Sequence, residues 1–329
     1  MSERVDASVV IPAYNAEAFI VDALAAAQKQ TVQAVEILVV DDGSTDGTRA
    51  LVEAVAQRDP RVRLFRQPTN RGPSAARNRA FDEARGDWLV LLDADDTMDP
   101  ERIARLIALG NRHKADLVAD NIVRQTLADR VALGLVFPRA MFERDRPMPL
   151  PEYAWHERIS DEVPPIGFIH PIIRRSFVER HGVRYPEAIW CGEDSYFTTL
   201  CLAHGAVLWT TAEAYYRYTM RSDSLSYRDD PEILAELERQ SRRLVDEIRP
   251  MVDGVTLGHL SKRADDLGRM YHYRRFTQAL KDRQIGEAWN LVWGPLPVPY
   301  ILHRLLTAMT RRLNNRGHQL DPQRAGEMP

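Results

Sequence analysis

A chain of 329 residues, 44% hydrophobic and 28% charged, has room for one large globular domain or two modest ones and is not the composition of a disordered or fibrous protein. Its net charge of −3 gives no bulk attraction to nucleic acid, and the spacing of its two cysteines, Cys191 and Cys201, fits neither a zinc site nor a disulfide framework. The opening MSERVDASVVIPAYN has no signal-peptide core and no run approaches the ~18 apolar residues that cross a bilayer, so a reducing cytoplasm is the expected location.

Ala7–Ile11 is a short β-branched run stopped by Pro12. Glu17–Gln30 has helical spacing through Phe19, Ile20, Ala23, Leu24 and Ala27. Glu36–Val40 is a second buried strand, and it ends in Asp41-Asp42-Gly43-Ser44. Thr45-Asp46-Gly47-Thr48 then caps a helix with Leu51, Val52 and Val55 inside. Val62–Phe65 is a strand, Gln67–Pro73 a loop and Ser74–Ala84 a helix. Trp88–Leu92 is an uninterrupted apolar run, the signature of a strand buried on both faces, and it breaks off in Asp93-Ala94-Asp95-Asp96. Carboxylates this close repel one another unless a cation sits among them, and hard oxygen ligands suit Mg²⁺ or Mn²⁺. Asp99-Pro100-Glu101 starts another helix, and Asp116–Ala119 another strand. Strands alternating with helices imply a mostly parallel sheet whose ligands bind at the strands' C-terminal ends. The place where a dinucleotide fold carries GxGxxG reads Pro12-Ala13-Tyr14-Asn15-Ala16-Glu17, which argues against NAD or FAD, and there is no Walker A sequence.

Asn121–Pro165, with six prolines, reads as an irregular insertion. Gly167–Ser176 opens a new organised segment, and Ser176–His181 is a short helix ended by Gly182. His170 within it is either a site residue or an ordinary loop histidine. Trp190-Cys191-Gly192-Glu193-Asp194 leads into a further helix, and Ala206–Thr210 is one more strand. After Asp229 the pattern turns helical over Pro231–Arg249, Thr256–Leu280 and Gln284–Val292. Ile301–Leu313 is a basic amphipathic segment that either lies on an anionic membrane surface or packs on protein.

Four of these stretches, IPAYNAEAFI, ILVVDDGSTDGT, NRGPSAARNRAF and WLVLLDADD, stand in order over Ser8–Pro100. Together they resemble the family 2 glycosyltransferases of the GT-A fold. The resemblance implies an α/β, Rossmann-like, mostly parallel central sheet flanked by helices, with a helical C-terminal extension. The boundaries expected are a catalytic domain over 1–228, split into a nucleotide-sugar half (1–120) and an acceptor half (121–228), helices over 229–315, and a disordered tail over 316–329.

Carried over residue by residue, Tyr14 lies against the nucleobase with Pro12 and Ala13 beside it, and Asp42 accepts a bond from the base, which fits a UDP-sugar. Glu17 reaches the same pocket or is an ordinary first-turn acid. Arg77 faces ribose or phosphate oxygens or forms a surface ion pair. In the DxD-type element Asp93 is the ribose-side acid, Ala94 lies between, Asp95 ligates the metal, and Asp96 shares or replaces it. Glu193-Asp194 resembles the family's acceptor-side pair: Asp194 is the general base and Glu193 orients the acceptor. Trp190, Tyr196 and Phe197 offer a sugar-stacking face, with Phe197 also readable as core. Tyr215-Tyr216-Arg217-Tyr218 and Arg221–Ser226 resemble the close of the catalytic domain, with Arg221 against the diphosphate or in a solvated turn.

The wider chain, including ADLVADN, the GFIHPI passage and the helical tail, resembles bacterial exopolysaccharide enzymes of the succinoglycan type. These extend a lipid-linked sugar chain at the inner face of the cytoplasmic membrane. The function implied is a metal-dependent, inverting transfer of hexose, glucose first, from a UDP-sugar to a saccharide hydroxyl, with peripheral membrane contact through 301–316. The alternatives are a sugar-nucleotide-binding protein without transferase activity and a sugar-1-phosphate nucleotidyltransferase. The second requires a glycine-rich basic loop that Pro12–Glu17 does not supply.

Overall fold

The computed structural model describes residues 4–160, 163–221, 230–293, 296–302 and 304. It divides into two compact units, Met1–Asp229 with Glu236–Ala264, and Asp230–Ala235 with Asp265–Pro329. The first unit begins as the alternating pattern requires: β1 (Ala7–Ala13), α1 (Ile20–Gln28), β2 (Val35–Asp41), α2 (Thr48–Ala56), β3 (Val62–Arg66), α3 (Pro73–Glu83) and β4 (Trp88–Leu91). There follow β5 (Thr97–Met98), α4 (Arg102–His113), β6 (Leu117–Ala119), β7 (Ile122–Gln125), β8 (Ala132–Leu135), β9 (Arg146–Pro147) and α5 (Leu150–His156). The unit continues through β10 (Ile172–Arg174), α6 (Arg175–His181), α7 (Glu193–Ala203), β11 (Leu208–Thr210) and β12 (Tyr216–Thr219). Three helices complete the chain, α8 (Pro231–Ile248), α9 (Gly254–Lys281) and α10 (Ile285–Trp293).

The main sheet has the order β3-β2-β1-β4-β10-β6-β11-β9. Its first four strands are parallel, and β2 and β4 are buried along their whole length, as strands covered on both faces must be. Strand β10 runs antiparallel between β4 and β6, so the sheet is mixed.

Pro12 does not stop β1, as the sequence suggested. The strand continues to Ala13, pairing Pro12 with Val40 and Ala13 with Asp41 on β2. What Pro12 stops is the other ladder. The Leu92 amide donates to the Val10 carbonyl, so Val10 and, two residues on, Pro12 face β4. Pro12 has no N–H for the next rung, and the β1–β4 pairing ends at Val10 and Leu91. Beyond that point the chain is released from the sheet, and Asp93 to Asp96 stand at its rim.

The stretch 121–165 is more regular than its prolines implied. Strands β7 and β8 join β5 and β12 in a second sheet of order β5-β12-β7-β8, β9 edges the main sheet, and α5 follows. Strands of two to four residues are too short to display a period of two, which is why they were not legible. Gly182 ends α6 with φ of +63°, the left-handed cap expected of it. The segments Ser222–Ser226 and 305–316, and the tail 316–329, lie outside the described residues.

Helix α4 rides close over β4 because Gly110 has no side chain: a Cβ there would fall 2.4 Å from Cη2 of Trp88, which is buried in the core. Gly110→Ala should therefore lower stability by about 1–3 kcal/mol. Gly258→Ala, on α9 with nothing within 4 Å of the added Cβ, should be neutral or stabilise by up to about 1 kcal/mol. Thermal unfolding of the two variants checks the contrast.

Candidate active site

The site is assembled by α3. Gly72 takes φ of +89° and Pro73 opens the helix. Asn78 then holds the backbone of a segment over a hundred residues away, donating to the Tyr185 carbonyl at 2.8 Å and accepting from its amide at 2.9 Å. The Ser74 hydroxyl donates to the Ile189 carbonyl at 3.1 Å. These bonds bring the first turn of α7 against the rim of the main sheet.

Arg77 fills the space between them. Its side chain is 3% exposed, and its guanidinium meets acids from both sides: Asp93 Oδ1 at 2.8 Å, Glu193 Oε1 at 2.7 Å and Asp194 Oδ2 at 3.5 Å. It also stands 5.2 Å from the Tyr185 ring centroid, a cation–π distance. The Tyr185 hydroxyl donates to Asp194 Oδ1 at 2.9 Å, and its ring stacks on buried Phe197 at 4.2 Å. The side chain expected at a ribose or phosphate is thus turned into the protein, where it gathers the acids of two distant motifs.

The carboxylates of the DxD-type element differ in their partners. Asp93 also meets Nε2 of His170 at 3.3 Å, and the His170 ring stacks on Tyr216 at 4.3 Å. Burial works to raise the Asp93 carboxyl, but the Arg77 charge and the His170 bond outweigh it and hold Asp93 well below the usual carboxylate range. Asp96 is fully buried, with one oxygen accepting from the Tyr216 hydroxyl at 2.8 Å and the other from the Thr219 amide at 2.7 Å. Asp95, like Asp93, is partly exposed, its side chain 30% accessible; it is paired with Arg221 at 2.9 Å, while Arg221 lies 4.2 Å from the Phe19 ring centroid. Burial first, and then the neighbouring acids, raise both Asp95 and Asp96. Burial and the adjacent Asp194 likewise raise Glu193.

Raised acids at a cleft rim mark negative charge that the protein's own cations do not fully compensate. That donor set fits a hard divalent ion. Asp95 offers an accessible carboxylate, and ligand atoms of Asp93, Asp96 and His170 lie within 4.8 Å of one another, the one such group among the described residues.

Of the residues expected at a nucleotide, Tyr14 is half exposed just beyond β1, whereas Ala13 is buried and its carbonyl accepts from the Asp42 amide at 2.8 Å. Asp42 accepts from the Arg71 amide at 2.9 Å, the Gly72 amide at 2.8 Å and the Gln67 side chain at 3.0 Å. Burial raises its pKa against those amides. Glu17 accepts from the Gly47 amide at 2.9 Å, a link between the starts of α1 and α2. Pro12 and Ala94 are partly buried, Ala94 against the main core. Of the three aromatic residues near α7, Tyr196 and Phe197 are buried and Trp190 is half exposed, its ring beside Gly72.

Residues 8–145 match the family model described as Glycosyl transferase family 2. The chain carries a family 2 glycosyl transferase domain. It is 36% identical over 221 residues to the succinoglycan biosynthesis protein ExoO of Rhizobium meliloti (strain 1021), a match covering 67% of this chain and 62% of ExoO. It is 29% identical over 327 residues to ExoU of the same organism, also a succinoglycan biosynthesis protein, covering 95% of this chain and 90% of ExoU. The solved structure of S. aureus TarS 1-349 in complex with UDP-GlcNAc superposes with a TM-score of 0.62 at 22% identity, over 88% of this chain and 80% of that one. The glycosyl transferase domain has the GT-A fold.

Three residues of this domain's cleft had little or no sequence signal. Tyr185 lies in an unpatterned loop, His170 reads as a site residue or an ordinary loop histidine, and Tyr216 shows only within the Tyr215-Tyr216-Arg217-Tyr218 passage, with no role of its own. Pairing decides all three, and pairing is a property of the folded chain.

Because its folded pKa is depressed, Asp93 contributes stability above its unfolded pKa and loses it as pH falls. Asp93→Asn should lower the melting temperature at neutral pH and reduce its fall between about pH 5 and pH 3, where the unfolded carboxyl takes up its proton. A pH series of thermal melts on both proteins measures this.

Proposed function

We propose that the protein is a metal-dependent, inverting glycosyltransferase that moves a hexose from a UDP-sugar, glucose being the first expectation, to a hydroxyl of a growing glycan. The observation carrying this reading is that Asp93, Glu193 and Asp194 converge on the single guanidinium of Arg77. An acid of the nucleotide-side motif and the acids of the acceptor-side motif therefore border one cleft.

In this reading Tyr14, flanked by Pro12 and Ala13, stacks on the uracil, Asp42 accepts from its imide N–H, and Glu17 braces the pocket. Asp93 and Ala94 border the ribose and the sugar, with Arg77 holding Asp93 in place. Asp95, together with Asp93 and Asp96, holds Mg²⁺ or Mn²⁺. When bound, that ion supplies positive charge to the leaving diphosphate. Arg221 adds a second cation on the same side.

Asp194, oriented by Tyr185 and Arg77, takes the proton of the acceptor hydroxyl as its oxygen bonds to the anomeric carbon. The bond from that carbon to the diphosphate oxygen breaks, and its electron pair leaves with UDP. Attack from the opposite face turns an α-linked donor into a β-linked product. Glu193 orients the acceptor. The relatives' names, both of succinoglycan biosynthesis, support a glycan acceptor, which we take to be a lipid-linked exopolysaccharide repeat unit extended at the inner face of the cytoplasmic membrane.

Thermal shift across UDP-Glc, UDP-Gal, UDP-GlcA and GDP-Man identifies the donor. Stabilisation by UDP with Mn²⁺ should vanish in Asp95→Ala. Asp194→Asn should keep that stabilisation while turnover drops at least about 100-fold. Undiminished turnover by the Asp194 variant would remove it from the mechanism.

A further inference from the structure

Helix α10 is apolar on two faces. Ala288 and Leu291 are buried, and Leu291 belongs to a small core with Tyr273, Leu296 and Ile301. Ile285, Trp289 and Trp293 follow at intervals of four and so stand in a row along the helix. They are 64%, 62% and 74% exposed. The two indole rings are neighbours, 5.7 Å between centroids. Val298 and Leu302 are also more than half exposed. Single apolar residues on a surface are ordinary, but a contiguous row with two tryptophans marks an interaction site.

Charge selects the occupant. Residues 265–329 contain ten Lys and Arg against six Asp and Glu, whereas the chain as a whole is net negative at −3. The excess of positive charge lies in the segment that carries the row. A second copy docked through the same face would bring two such segments together across a two-fold axis, and the like charges oppose that. An anionic lipid surface draws basic segments toward it, and indoles with aliphatic neighbours partition into the headgroup layer. No described helix is long and apolar enough to cross a membrane, so the contact is peripheral.

We propose that the Ile285–Trp289–Trp293 row of α10 seats this protein on an anionic membrane surface, the helix lying along the interface with both indoles at headgroup depth. The claim is independent of the transferase reading, because vesicle binding is read without donor or acceptor, and either can fail alone.

The test uses the full chain with vesicles of phosphatidylcholine alone or mixed with phosphatidylglycerol. The wild type should co-sediment with the anionic vesicles, and its tryptophan emission should be quenched by brominated lipid. Trp289→Ser/Trp293→Ser should bind them at least about tenfold more weakly, with an unchanged melting temperature because both side chains are exposed. Lack of binding by the wild type, equal binding to neutral vesicles, or undiminished binding by the double variant would overturn the proposal. So would a wild-type dimer in solution that the double variant converts to monomer, since that would assign the row to a second copy. If the double variant misfolds, quenching of wild-type emission by brominated lipid still decides between membrane contact and none.

Discussion

A guanidinium almost wholly withdrawn from water is tolerable only among carboxylates, and Arg77 has three of them. The rest of the cleft depends on this contact. It ties the rim of the main sheet, through Asp93, to the first turn of α7, through Glu193 and Asp194. The acids in turn depend on Arg77, because removing one partner of a buried charge network costs about 3–5 kcal/mol and leaves the others uncompensated. The network does two tasks at once: it closes the fold across a gap of more than a hundred residues, and it fixes where acids from two motifs stand.

Two backbone features make that meeting possible. Pro12 denies β4 its next hydrogen bond, and the chain after Leu91 leaves the sheet as a turn of acids. Asn78 clamps the Tyr185 backbone to α3, so the approach of α7 is set by a pair of hydrogen bonds as well as by charge. Between them, Asp96 and Tyr216 anchor the acidic turn to the second sheet. Asp96 is therefore held by the protein on both oxygens, whereas Asp95 is partly exposed and paired with Arg221.

The acidic residues also sort themselves by surroundings. Asp93 is pulled low by a full cation, while Asp95, Asp96 and Glu193 are pushed up by burial and by the acids next to them. A cleft built this way presents unbalanced negative charge beside a fixed positive centre.

The sequence by itself determined the alternating strands and helices of the first hundred residues, and it put acids at the ends of two of those strands. Buried apolar runs, caps and breaks are local signals, and a strand covered on both faces has to be apolar throughout. Tertiary structure alone decided which acids face one another, that Arg77 turns inward, that Tyr185 and His170 join the cleft, and that 121–165 contributes strands too short to show a period. It also decided that the α10 row faces solvent while Leu291 does not. An apolar residue carries no mark of which neighbour will cover it, and a charged one no mark of its partner. Both choices are made when segments far apart in the chain pack together.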